Sequence, residues 1–128
     1  MSTLKADTIQ STSGGAATLT SQVAIKSWVY LNGSTFGIQD SFNTSSATDN
    51  GEGDYTTTRT NAFSNDDYAT AGLCSAISGG NPHYNFIVEN QDARLRSTTQ
   101  LRTWILNAVE ISYNDALDYS MTFTGDLA

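Results

Sequence analysis

The chain of 128 residues has one cysteine, one histidine and one proline, and each shortage removes a class of protein. A single thiol, Cys74, cannot close an internal disulfide, and one histidine with one cysteine cannot build a zinc site of the usual Cys and His spacing. Basic residues are also scarce: six Lys and Arg stand against thirteen Asp and Glu, a formal net charge of −7. Neutralising phosphates takes clustered cations, so nucleic acid is not an expected partner, and an anionic membrane surface would repel the chain. No run approaches the eighteen apolar residues of a membrane span, so no membrane insertion is expected. The start "MSTLKADTIQ" lacks the basic and apolar regions of a secretion signal. The sequence is thus read as that of a protein made and folded in a cytoplasm.

What the chain does have is Ser and Thr, about a quarter of all residues, with ten glycines and thirteen aromatic side chains. That composition suits short strands joined by turns better than helices, and the length suits one core.

Residues 1–20, "MSTLKADTIQSTSGGAATLT", carry only scattered apolar side chains, Leu4, Ile9 and Leu19, around a Ser/Gly-rich middle. Such a segment cannot bury much against itself; it is either a flexible tail or a segment that orders against a second chain or a larger particle. Residues 21–28, "SQVAIKSW", fit one or two helical turns capped by Thr20 or, through β-branched Val23 and Ile25, a strand. From Trp28 the pattern is that of strands. "WVYLNGSTFGIQDSF" sets two apolar runs around Asn32-Gly33, a hairpin signal, with Phe36, Ile38 and Phe42 on one face of the second run. In residues 117–124, Leu117, Tyr119, Met121 and Phe123 alternate with polar neighbours, which predicts a strand with one core face. Residues 54–60, 67–77, 83–90, 93–98 and 101–113 have strand length and are separated by turn residues such as Gly79-Gly80-Asn81-Pro82. About eight strands at this spacing predict an all-β, antiparallel sandwich or jelly-roll-like head spanning residues 21–128. In residues 101–113, Trp104, Leu106 and Ala108 line one face, and Ile105, Val109 and Ile111 line the other. Both faces should then be covered, one of them by a neighbouring subunit or a central helix.

The acidic stretch "DNGEGD", residues 49–54, poses the question of a calcium loop. A helix–loop–helix calcium site needs glycine at its sixth position and a bidentate Glu at its twelfth; counted from Asp49 these are Asp54 and Thr60. A looser site from Asp49, Glu52 and Asp54 competes with plain turn chemistry, in which Asn50-Gly51 supplies positive φ and the acids keep the corner solvated. No nucleophile elbow or phosphate-cradling loop is present. His83 reads as a surface or turn residue and Cys74 as a small core residue. Acid pairs for a glycosidase can be drawn from Asp66, Asp67, Asp115 and Asp118, although acids in turns are the commoner case. No catalytic residue, metal ligand or cofactor is therefore expected. Most of Trp28, Tyr55, Tyr68, Tyr84, Trp104, Tyr113 and Tyr119 should be core or subunit interface. The best candidate for a receptor-contacting tip is "GGNPHYN", where Asn81, His83, Tyr84 and Asn85 offer an aromatic ring beside amides, as a sugar-binding surface would.

One resemblance adds to this reading. Lys26, Trp28, Tyr30, Asn32, Gly33, Ser41, Phe42, Asn43, Ser45, Ser46, Thr48, Asp49, Asn50, Gly51, Gly53, Tyr55, Asn61, Phe63, Asp67, Tyr68 and Ala69 follow a pattern that resembles a module of short structural proteins and tail fibres of tailed bacteriophages, notably marine ones. The likeness covers roughly the first half of the chain and the closing "GDLA"; residues 73–118 depart from it. It implies a β-rich virion protein, an intertwined homotrimer in which residues 1–20, through Leu4, Ile9 and Leu19, pair with sister chains and anchor the subunit to other virion proteins. The head would face a host surface glycan or protein, and "TDNGEGDY" would be a hairpin. The same features fit a capsid decoration or head-fibre protein bound to the major capsid protein, and, from a different class, a polysaccharide depolymerase.

Overall fold

The computed structural model describes residues 25–75, 85–89, 96–109 and 111–126. Among them are nine strands and no helix: β1 (Ile25–Asn32), β2 (Gly37–Phe42), β3 (Thr44–Gly51), β4 (Asp54–Arg59), β5 (Ala69–Cys74), β6 (Asn85–Glu89), β7 (Gln100–Asn107), β8 (Ser112–Tyr113) and β9 (Tyr119–Thr124). They form two antiparallel sheets, ordered β2-β1-β9-β5 and β3-β4-β7-β6, with β8 beside the far end of β7. The two sheets pack face to face as a β-sandwich, as the alternation in the sequence predicts. Residues 1–20, with Leu4, Ile9 and Leu19, lie outside the described residues, as do residues 21–24; the stretch 25–28 is strand, not helix.

The alternation in β9 decides its faces. Tyr119, Met121 and Phe123 are buried, while Ser120, Thr122 and Thr124 are half-covered on the opposite face. Val29 and Leu31 of β1, Tyr55 of β4 and Leu101 and Ile105 of β7 meet them, and Phe63, Tyr68 and Ala116 close the ends of one core. Tyr119 sits at its centre, where its hydroxyl pairs with that of Thr103 at 2.8 Å and burial drives its pKa upward.

The corners follow from particular side chains. At Asn43 the chain leaves the first sheet for the second, with φ at 53°, a left-handed conformation that Asn tolerates better than most residues. Its amide holds both sides of the corner, donating to Lys26 O and Asn61 O and accepting from the Asn61 N–H at 2.7 Å. The predicted hairpin between β1 and β2 exists, but residues 33–36 form its loop. There the Asn32 side chain accepts the Thr35 N–H at 2.8 Å. Gly33 is required for space: a Cβ there would stand 2.3 Å from the Tyr55 hydroxyl and 2.5 Å from Ala116 O. In "DNGEGD" the positive φ angles fall on Gly51 and Gly53, at 137° and 65°, which makes the stretch the turn between β3 and β4.

Four details of the sequence pattern need correction. Phe36 belongs to the loop and turns inward against Tyr55, 5.6 Å between ring centroids, whereas Phe42 is exposed. Residues 96–98 form no strand; Arg96 makes a single bridge to Leu101. The stretch 101–113 is two strands, because Asn107 turns its side-chain oxygen to the Val109 N–H at 2.9 Å, a local bond that competes with continued pairing. Val109 and Ile111 consequently do not share the face of Ile105 and are exposed, at 62% and 84%.

Candidate interaction surface

The inner face of β7 is filled by Leu101, Thr103, Ile105 and Asn107, so its outer face carries Gln100, Arg102, Trp104 and Leu106. Register then assembles a patch. Leu106 stands between Phe86 of β6 and Tyr113 of β8, and Trp104 between Val88 of β6 and Asp54 of β4. Cross-strand neighbours share a face, and the Trp104 and Tyr113 rings touch, with centroids 4.8 Å apart. Phe86 is 55% exposed and Tyr113 43%, while Val88, Trp104 and Leu106 are half-buried. Among the described residues nothing covers this apolar stripe. Arg102 and Asp54 border it through two parallel bonds of 2.8 and 2.7 Å. Burial pushes the Asp54 carboxyl up, but Arg102, with the Trp104 indole and Asn50, outweighs it and holds the group below the usual carboxylate range.

Among the described residues nothing covers the outer face of the first sheet either. Phe42 opposes Trp28, and Leu73 opposes Ser120 beside Tyr30, with Leu73 79% exposed. Tyr30 reaches along the face to donate to Asp118 at 2.5 Å.

The two ends of the sandwich differ. Ile25 and Ala69 both pair with Thr124, so the chain before β1 arrives at one end. Leu31 and Cys74 both pair with Tyr119 at the other end, where Ser75 and Asn85 also lie, the Asn85 amide on the Ser75 carbonyl. These ends lie about 17 Å apart along the strands, at ~3.4 Å per residue.

Of the proposed tip residues, Asn81, His83 and Tyr84 lie outside the described residues. Asn85 begins β6, facing Asn107, and its amide donates to Ser75 O at 3.0 Å while its buried side-chain oxygen has no partner among the described residues. It ties the base of the connection. The acids of "DNGEGD" do not converge: Asp49 accepts the Gly51 N–H at 3.0 Å and Asp54 holds Arg102. Among the described residues no three His, Cys, Asp or Glu side chains form a group that could hold a metal ion. Asp115 accepts the Gly53 N–H and the Tyr55 hydroxyl, each at 2.8 Å; burial first, then this carboxylate, raises the Tyr55 pKa. Cys74 packs against the core, which raises its thiol pKa.

A cluster the sequence reading missed surrounds Arg59. Its guanidinium is buried, 3% exposed, and lies 4.5, 4.7 and 5.1 Å from the ring centroids of Tyr68, Phe123 and Phe63. It donates to the Tyr68 hydroxyl at 2.7 Å and to Ser97 O at 3.1 Å, while Nη1 has no partner among the described residues. Burial lowers its pKa. Arg96 also lies over the Tyr68 ring, 4.5 Å from its centroid, and binds the carbonyls of Asp66 and Tyr68. The two cations clamp the loop 60–68 onto residues 96–99. Strand parity was the available signal: Tyr55, Thr57 and Arg59 must face the same way.

No protein-family model, curated protein or solved structure matches the chain.

Proposed function

We propose that the chain is a non-enzymatic subunit of a tailed-phage virion, a tail-fibre or tail-appendage protein that assembles as a homotrimer and attaches the particle to a host surface glycan or protein. The observation that carries this reading is the polarity of the head. Ile25, Ala69 and Thr124 occupy one end of the strands, and Ser75 and Asn85, joined by a hydrogen bond, occupy the opposite end. Residues 1–20, through Leu4, Ile9 and Leu19, would then join the subunit to sister chains and to other virion proteins from one end, while Asn81, His83 and Tyr84 would meet the host at the other. The homotrimer draws support from the outer face of the second sheet. Phe86, Val88, Trp104, Leu106 and Tyr113 form a contiguous apolar stripe of the kind that marks a protein contact. The virion assignment rests on the resemblance around "KSWVYLNG" and "TDNGEGDY".

Locating the chain by electron cryomicroscopy of intact particles tests the attachment role. Density at the distal end of the tail is the expected result; density on the capsid lattice would replace host attachment by capsid decoration. Sedimentation of the purified chain tests the assembly, and a monomer at micromolar concentration would sink it.

A further inference from the structure

We propose that the free edge of β5 is a strand-acceptor site whose occupant is residues 17–23 of a second copy of this chain; this rests on the reading of the protein as a self-associating subunit and says where the copies join. Among the described residues β5 pairs only with β9. The Ser75 N–H donates to Asp118 O across that pair, and because successive residues of a strand point their backbone groups to opposite sides, those of Thr70 and Gly72 face the open edge. An edge of this kind is normally blunted by charge, proline or a bulge. Here the sequence is Ala69, Thr70, Ala71, Gly72, Leu73 and Cys74, with no charge, all but Cys74 exposed, and no register shift against β9.

The interior beside this edge is also open. A cleft of about 110 Å³ lies between β5 and β6, rimmed by Thr70, Gly72, Ile87 and Glu89 and lined within by Leu101, Thr103 and Met121. A strand added to β5 would direct alternate side chains over that mixed floor, which suits small and apolar residues together. Residues 17–23 supply the matching pattern: Ala17, Leu19, Ser21 and Val23 alternate with Thr18, Thr20 and Gln22. Charge agrees as well. Each copy carries a formal −7, yet residues 8–24 contain no charged side chain, and neither does β5, so this contact brings no like charges together.

The donor is a second copy for a reason of reach. The outer edge of β5 lies three strand spacings from Ile25, roughly 14 Å at ~4.8 Å each. A chain crossing that gap at ~3.4 Å per residue consumes about four residues. Its own segment would spend residues 21–24 on the crossing and bring only half of the alternating stretch to the edge. A neighbouring copy can offer all seven residues.

Disulfide trapping in full-length chains tests this, with Cys74→Ala as background in every chain. Donor chains carry Ala17→Cys, Leu19→Cys, Ser21→Cys or Val23→Cys, and the acceptor chain carries Thr70→Cys; each donor is mixed with the acceptor and oxidised. A covalent donor–acceptor pair for at least one donor is expected. Thr70→Pro in an otherwise native chain, which removes an edge-facing N–H without touching the β9 ladder, should shift the sedimenting species toward monomer. A cross-link found only inside a chain carrying both cysteines would show that the segment covers its own edge, and would overturn the proposal. No donor–acceptor pair at any position, in a chain that still sediments as an oligomer, would overturn the edge contact and leave self-association standing. A monomeric native chain would overturn both.

Discussion

Replacing Phe86 by Ser separates an interface residue from a core residue by magnitude. Phe86 is 55% exposed in the single chain, so about 100 Å² of a ring that offers roughly 200 Å² is left for a partner to cover. At ~25 cal/mol per Å² its burial in an assembly is worth about 2.5 kcal/mol per contact, close to two orders of magnitude in the association constant at 1.4 kcal/mol per tenfold. The fold of one copy loses less, because the ring is already half in water and its neighbours Leu106 and Val88 stay in place. Phe86→Ser should thus shift the concentration at which the oligomer dissociates upward by roughly thirty-fold or more per contact broken, after discounting area-based values as upper bounds. Its melting temperature, taken where both proteins are monomeric, should fall by only a few degrees. Analytical ultracentrifugation over a dilution series reads the first quantity and thermal denaturation the second. Unchanged dissociation in Phe86→Ser would refute the assignment of this face to a subunit contact, and a melting loss matching that of a core truncation such as Phe123→Ala would show that the ring serves the fold.

Gly33→Ala should cost about 2 kcal/mol or more, because the added methyl meets backbone at Ala116 O, which cannot swing aside. Gly37→Ala, whose nearest neighbour would be 3.9 Å away, should be nearly neutral; equal denaturant midpoints for the two variants would contradict the steric argument. At Arg59, Met should be better tolerated than Lys. Met fills the aromatic cage without a desolvated charge, and the Tyr68 hydroxyl keeps its bond to Gln100 O, whereas Lys retains the charge and lacks the planar fork; a Lys variant that melts above the Met variant would reverse this. Asp54 titrates below its ordinary value near 3.8, so its contribution is fully present above that value and is lost as the pH falls through the lower folded-state value. Asp54→Asn should accordingly flatten the acid limb of a stability-against-pH curve below about pH 4, and an unchanged limb would mean that Arg102 gives no net help.

The sandwich was legible because it rests on period-2 alternation, which survives without knowledge of partners. Tyr119, Met121 and Phe123 show this best: polar neighbours on every other position leave no second way to orient the strand. The pattern failed where one side chain redirected the backbone. Nothing in "ILNAVEIS" distinguishes Asn107 as a strand end until its side chain is seen holding the Val109 N–H, and Gly33 read only as half of a hairpin signal although its role is to admit Tyr55 and Ala116.

The interaction surface was half legible for a physical reason. Residues 104–106 show an apolar side chain on both faces of one strand, which is enough to expect a cover on the outer face. The extent of the patch is a matter of register: Phe86 and Tyr113 lie 20 residues before and seven after Leu106, and only pairing across β6, β7 and β8 brings them beside it. Arg59 shows the converse. Its charge argues for the surface, yet parity with Tyr55 and Thr57 argues for the interior, and the interior wins because three rings and three oxygen acceptors are within its reach. A cation can take an inward position in a Thr-rich strand when aromatic faces replace water around it. The same logic applied to the outer faces identifies Trp104 and Leu106 as half-buried residues whose remaining surface has no such replacement among the described residues, which is why a cover is sought in another copy.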